Sequence, residues 1–257
     1  MSKNIVVVQN VFDDPELTIQ SMDSIRHAAK RWGADFYELN TVHHPKAPNP
    51  FFWDRIWEYQ FFGQYEKVLV VDPDIVINVK APNIFDELTP EYDFCAVKDG
   101  NPGNRFADPV YLRDSITKRN ALVGNTIEIF EKNIEGFTFE KYWENYFNVG
   151  VTLFYPERTN QMMERIKDLI FNNSEIYQYV NFNGGGIWFS PQNLINAVFV
   201  SENVRIKFLQ NEWNWVLPDI AEEYHNGFFL GPMKPWIYHF TGTSGSKDSL
   251  KSYDRWK

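Results

Sequence analysis

Two apolar strands, Ile5 to Val8 and Lys67 to Val71 (unbroken from Val68 on), limit the architecture more than any other feature of the sequence. A strand with one wet face alternates polar and apolar residues. A run without alternation needs both of its faces covered. Between the runs, Asp13-Asp14-Pro15-Glu16 reads as a helix start, with an acidic N-cap and Pro in the first turn. Ile19, Met22, Ile25 and Ala29 recur at helical spacing, and Gly33 stops the helix. Phe36 to Leu39 is a second short strand. Pro45, Pro48 and Pro50 mark a loop, and Phe52 to Phe62 reads as an aromatic-rich helix closed by Gly63. The order strand–helix–strand–helix–strand predicts an α/β fold, with a mostly parallel central sheet flanked by helices. Ligands of such sheets bind beyond the carboxyl ends of the strands. Asp72-Pro73-Asp74 stands at that end of the third strand.

Further along, Phe94 to Val97 reads as another central strand, followed by Lys98-Asp99-Gly100. Residues 100 to 140 read as a lid or an inserted lobe. Tyr146 to Phe154 is a strand with Asn148 and Gly150 inside it, and Thr159 to Phe171 an amphipathic helix. Gly184-Gly185-Gly186 is a flexible loop, Pro191 to Phe199 a short helix, and Trp236 to Phe240 a last apolar strand. No linker divides the chain. One domain over residues 1–245 is expected, followed by a polar tail over 246–257.

Hydrophobic residues make up 44% of the 257 and charged ones 23%, enough apolar content for a full core. The net charge of −9 argues against nucleic-acid binding, which needs clustered Lys and Arg. An anionic small substrate would need a bound cation beside it. Cys95, the single cysteine, admits no internal disulfide and reads as structural. Met1-Ser2-Lys3-Asn4 leads into a strand without a signal-peptide core, and no apolar stretch is long enough to span a bilayer. A cytoplasmic protein without a transmembrane segment is expected. Aromatics reach 17%. Most are expected in the core, although flat rings also stack on sugar faces.

Asp72 and Asp74, at i and i+2 in an extended segment, point to one side and can share a hard divalent cation. An Asp-x-Asp alone is a weak signal. This one lies between the apolar stretches Lys67 to Val71 and Ile75-Val76-Ile77, where two acids need a reason. His239, in the last strand, is either a satisfied core histidine or a third ligand. Imidazole among the ligands favours Mn²⁺, with Mg²⁺ the alternative. Asn148 inside a strand runs against propensity and suggests a polar role. Asp99 reads as a turn residue, a sugar contact or a base. Trp213-Asn214-Trp215 is either an acceptor platform or packing, and His43-His44 reads as surface.

At this point the chain resembles glycosyltransferase family 8, the group of glycogenin and the bacterial lipooligosaccharide galactosyltransferases. Tyr65 to Ile77 looks like the metal-binding stretch of GT-A enzymes. Tyr146-Phe147-Asn148-Val149-Gly150-Val151 is similar to the family's Tyr-Phe-Asn-Ser/Ala-Gly-Val segment, whose Asn faces the donor sugar. Trp236 to Gly242 resembles its C-terminal metal-histidine segment, and Trp53-Asp54-Arg55-Ile56 its Arg-Leu pair. The resemblance implies a GT-A-like, nucleotide-diphospho-sugar transferase fold. The implied activity moves a sugar, a UDP-hexose donor being favoured, to a carbohydrate, glycolipid or glycoprotein hydroxyl with retention. Asp72, Asp74 and His239 would hold the metal. Asn10, Arg55 and Lys247 would join the two aspartates around the donor nucleotide, and Asn148, Asp99 and Gln192 would contact its sugar. The family's Asp-Gln-Asp-x-Leu-Asn is here Pro191-Gln192-Asn193-Leu194-Ile195-Asn196, which keeps the Gln and loses both acids. That loss leaves a non-catalytic sugar-binding module as an alternative. A nucleotidyltransferase is a further one, although Val8 to Phe12 carries none of the Gly-rich loop such enzymes use.

Overall fold

The computed structural model describes residues 3–9, 15–39, 62–99, 126–181, 190–216 and 235–240. A six-stranded sheet runs through it. Its strands are β1 (Asn4–Gln9), β2 (Asp35–Leu39), β3 (Lys67–Val71), β5 (Phe94–Lys98), β6 (Phe147–Phe154) and β7 (Ile206–Leu209), in the order β2-β1-β3-β6-β5-β7. Pairing is parallel for β1 with β2 and β3, and for β5 with β7. β6 runs antiparallel to both β3 and β5. The sheet is thus mostly parallel, and the carboxyl ends of β1, β3 and β5 share one rim.

The apolar runs are explained by burial on both faces. Ile5, Val7, Val68, Val70, Phe94 and Ala96 face one core cluster; Val6, Val8, Leu69, Val71, Cys95 and Val97 face the other. Helix α1 (Pro15–Arg31) covers the second cluster with Met22, Ile25, Ala28 and Ala29. Gly33 ends it as expected, at φ +67. Its N–H reaches Lys30 O and that of Ala34 reaches Ala29 O, the paired bonds of a Schellman stop. Helix α2 (Thr126–Asn133) lies in the stretch read as a lid or lobe and α3 (Phe139–Glu144) begins at its end, and Phe130 and Tyr142 commit them to the first core cluster. Helix α4 (Pro156–Asn172) covers the same face. It starts three residues before the expected Thr159, because Pro156 at its first turn gives up no needed N–H. After α5 (Ser174–Asn181), helix α6 (Ser190–Ser201) completes that layer.

Among the described residues, many aromatics pack in this cluster. Phe94 packs on Phe147, Phe154 and Phe199, with centroids 5.0, 6.2 and 4.8 Å away. Trp213 is also core, 3% exposed, which removes it from any acceptor platform.

A second sheet, β4 (Ile75–Ile77), β9 (Ile237–His239) and β8 (Trp215–Val216), has β9 in its middle. β4 pairs antiparallel with β9, setting Ile75 opposite His239, and β8 pairs parallel with it. Among the described residues, no helix is long and apolar enough to cross a membrane. The helix expected over Phe52 to Phe62, the Gly184 to Gly186 loop, the Asp13-Asp14 cap and His43-His44 fall wholly or almost wholly outside the described residues.

Candidate active site

β3 and β4 are joined by Asp72, Pro73 and Asp74. The segment is a turn and not the extended continuation expected from the sequence. Pro73 has no N–H to continue a ladder, so the strand breaks there. The turn still brings the two carboxylates together. Asp72 N–H donates to Gly150 O (2.8 Å), and Phe240 N–H donates to Asp74 O (2.9 Å), which ties the turn to β6 and to the end of β9. His239 enters from β9. Its Nε2 lies 3.5 Å from Asp72 Oδ2 and 3.3 Å from Asp74 Oδ1.

One ligand atom from each of Asp72, Asp74 and His239 falls within a 4.8 Å span. Adjacent ligands at about 2.1 Å on an octahedral ion stand about 3 Å apart. The observed separations are close to this, and two carboxylates with an imidazole are a sound donor set for a first-row divalent ion. Asp74 and His239 are 9% and 2% exposed, so the group can hold a metal ion partly sheltered from water.

Residues 148–150 carry the neighbouring polar groups because β6 bulges there. Ala96 faces Thr152, yet Lys98 faces Phe147, so two steps along β5 answer five along β6. The bulge takes backbone amides out of the ladder, and side chains satisfy them instead. Val149 N–H donates to Gln192 Oε1 (3.2 Å), and Gly150 N–H to Asn148 Oδ1 (2.8 Å). Gln192 Nε2 donates to Asp99 Oδ2 and to Tyr146 Oη, both at 2.9 Å. Gln192 and Asp99, separate in sequence, are therefore one unit beside the bulge. Asn193, in the place of one missing acid, turns away from it. It accepts from Tyr146 Oη (2.6 Å) and donates to Tyr179 Oη (3.0 Å). Asn196 clamps the start of β6, accepting from Phe147 N (2.8 Å) and donating to Phe147 O (2.9 Å).

Asn148 was expected to face a sugar. Its oxygen is already engaged, accepting from Gly150 N–H and from Asn214 Nδ2 (2.8 Å). Only its amide N–H groups remain to meet a ligand. Asn214 also contacts His239 Nδ1 through Oδ1, at 2.9 Å. Sequence reasoning left Asn214 as packing or platform, and Gly150 without a role. The one available signal for Asn214 was a buried-type polar residue between two tryptophans. Asn10, Arg55 and Lys247 lie outside the described residues.

The comparisons bear on this arrangement. The model of the family described as "Glycosyl transferase family 8" matches residues 9–245. The chain belongs to glycosyl transferase family 8. It is therefore a glycosyltransferase, and the GT-A fold is matched by solved structures. A glycosyltransferase involved in glycosylating the major capsid of PBCV-1 superposes with a TM-score of 0.56 at 13% identity, covering 97% of this chain and 99% of that one. Glycosyltransferase GlyE of Streptococcus pneumoniae TIGR4 gives 0.56 at 13% identity, over all of this chain and 61% of its own. The galactosyltransferase LgtC, solved with donor and acceptor sugar analogs, gives 0.50 at 12% identity over 96% and 95%. No curated protein matches the sequence.

Proposed function

We propose that this glycosyltransferase moves a hexose from a nucleoside diphosphate, UDP being favoured, to an acceptor hydroxyl, using Mn²⁺ or, as second choice, Mg²⁺. The observation that carries the reading is the convergence of Asp72, Asp74 and His239 at the carboxyl rim of the sheet. A divalent ion held there supplies positive charge against the leaving diphosphate. Asp72 and Asp74 contribute anionic oxygens and His239 a neutral nitrogen. Asn10, Arg55 and Lys247 are assigned to the nucleotide and its phosphates.

Gln192 and Asp99 are assigned to the donor sugar, with Asn148 donating from its amide nitrogen. The Asp99 carboxylate, fixed by Gln192 Nε2, stands in for the acids absent at 191 and 193. It can stabilise positive charge as it develops at the anomeric carbon. Retention through a loose, oxocarbenium-like transition state fits that arrangement. The family match over residues 9–245 supports one catalytic domain across 1–245. The acceptor is a carbohydrate, glycolipid or glycoprotein.

One observation favours a binding-only module instead: Asn193 is spent on two phenols and brings no acid to the site. Donor turnover separates the two readings. A thermal-shift screen of nucleotide sugars with and without Mn²⁺ selects the donor, since saturation at a hundredfold Kd adds about 2.7 kcal/mol. Calorimetric titration of UDP in Mn²⁺ and then in EDTA tests the metal. Tight binding in Mn²⁺ alone is expected, and equal affinity in both rejects the metal role.

A further inference from the structure

We propose that Asn214 is a positioning residue that locks the His239 ring with Nδ1 protonated and Nε2 turned toward Asp72 and Asp74. The proposal deepens the metal reading of those three residues and rests on it.

The backbone N–H of Gly150 can only donate, and it meets Asn148 Oδ1 at 2.8 Å. That atom is therefore the amide oxygen and not the nitrogen. The same oxygen is 2.8 Å from Asn214 Nδ2, which must then be the NH₂ end of its amide. The other end of Asn214 is a carbonyl oxygen, 2.9 Å from His239 Nδ1. An amide oxygen has no proton to give, so Nδ1 supplies it.

Nδ1 keeps its proton whether the ring is neutral or charged. Nε2 is then the ring nitrogen turned toward the aspartates, 3.3 and 3.5 Å from their oxygens, and a metal ion bound there would take the place of any proton on it. Which ring nitrogen of a histidine ligates is set by the hydrogen bond that the other makes.

Two further features hold the relay in place. Asn214 is 4% exposed and follows Trp213, which is anchored in the core. The imidazole also lies against the backbone of Gly150. A Cβ at that position would stand 2.2 Å from His239 Cε1 and 2.8 Å from Nδ1. One short stretch of β6 thus supplies the surface the ring rests on, the first donor of the chain and, through Asn148, its second link.

The test uses the full chain with Asn214→Ala and Asn214→Asp. One readout is the Mn²⁺ affinity of donor-free protein by calorimetry. The other is the ¹⁵N spectrum of the His239 ring in metal-free protein at about pH 8, which reads Nδ1 and Nε2 separately, assigned with His239→Ala. Wild type is expected to show Nδ1–H. Asn214→Ala should lose that preference and bind Mn²⁺ about 10–100-fold more weakly. Asn214→Asp keeps an acceptor for Nδ1–H and should retain the tautomer and most of the affinity. A wild-type ring protonated at Nε2 and not at Nδ1, or an Asn214→Ala protein with unchanged tautomer and affinity, overturns the proposal. A wild type that shows Nδ1–H, loses it in Asn214→Ala and yet binds no Mn²⁺ supports the lock and removes only the metal reading. Should Asn214→Ala fail to fold, Asn148→Ala breaks the chain one link earlier and must scramble the tautomer as well; an intact Nδ1–H there overturns the proposal.

Discussion

The two rims of the central sheet treat their acids differently. At the amino rim, Asp93 precedes β5 and Arg205 precedes β7. The Asp93 carboxylate receives Arg205 Nε at 2.9 Å and Nη2 at 2.5 Å, with Arg158 Nη1 3.5 Å away. Nearby, Lys207 Nζ meets Glu87 Oε2 at 2.9 Å. Charge there is answered within the chain. At the carboxyl rim, Asp72 and Asp74 face an imidazole, and Asp99 faces a side-chain amide. Acids paired with guanidinium and ammonium groups hold the fold together, whereas acids gathered with an imidazole and an amide form a donor set that a ligand can use.

Exchanging an acid for its amide at each rim is the strongest way to break this comparison. Asp72→Asn or Asp74→Asn removes an anionic ligand and almost no volume. Turnover of the donor selected by the screen is expected to fall at least about 100-fold, equivalent to about 2.7 kcal/mol. Stability of the metal-free protein should hold or rise, because two close carboxylates repel. Urea melts beside the rate assay check both. Near-normal turnover in the two single variants would end the assignment of this rim.

Gly150→Ala is the next largest. The new methyl has no room beside His239 Cε1, 2.2 Å away, so the ring or the bulge must shift. Mn²⁺ affinity should drop about tenfold or more if the ring leaves its place. Stability should drop by about 1–3 kcal/mol for overpacking. Calorimetry against urea melts separates the two effects. A destabilised variant with full Mn²⁺ affinity would show that the ring's position against Gly150 does not matter to the metal.

What the sequence made legible follows from the range of the interactions involved. The runs at Ile5 and Lys67 announce strands buried on both faces, and Gly33 a helix stop, because each depends on local pattern. The acids at 72 and 74 were visible because they sit between two apolar stretches. The antiparallel course of β6 was not visible, since an apolar run reads the same in either direction. His239 stayed ambiguous because its role depends on a pairing with Ile75, 164 positions away by the register 239 to 75. The bulge at 148–150 was hidden for the same reason. It exists because Gln192, from a distant helix, satisfies an amide of β6 that the ladder gives up. Asn214 could not be connected with His239 before β8 and β9 were seen side by side.

The smallest effect is expected at the amino rim, and it sharpens the comparison through its pH dependence. Hydrogen bonds from the Arg205 guanidinium hold the Asp93 carboxyl below the usual carboxylate range, against the opposing cost of burial. A carboxyl whose pKa is depressed on folding stabilises the protein above its unfolded value, and that contribution is lost as pH falls through the folded value. The unfolded carboxyl titrates near about 3.9, so the contribution is whole at neutral pH and fades below about pH 4. Asp93 is 15% exposed but Arg205 is 55% exposed, so solvent screens the pair and its contribution is small. Asp93→Asn should therefore melt at a slightly lower urea concentration at pH 7, with donor turnover per folded molecule unchanged. Near about pH 3 the gap between wild type and variant should narrow, because the wild-type carboxyl begins to protonate. A gap that stays constant from pH 7 to 3 would mean that Asp93 acts through uncharged hydrogen bonds and packing. A loss of turnover in the folded variant would mean that the two rims are coupled, and that charge balance at one end of β5 reaches the site at the other.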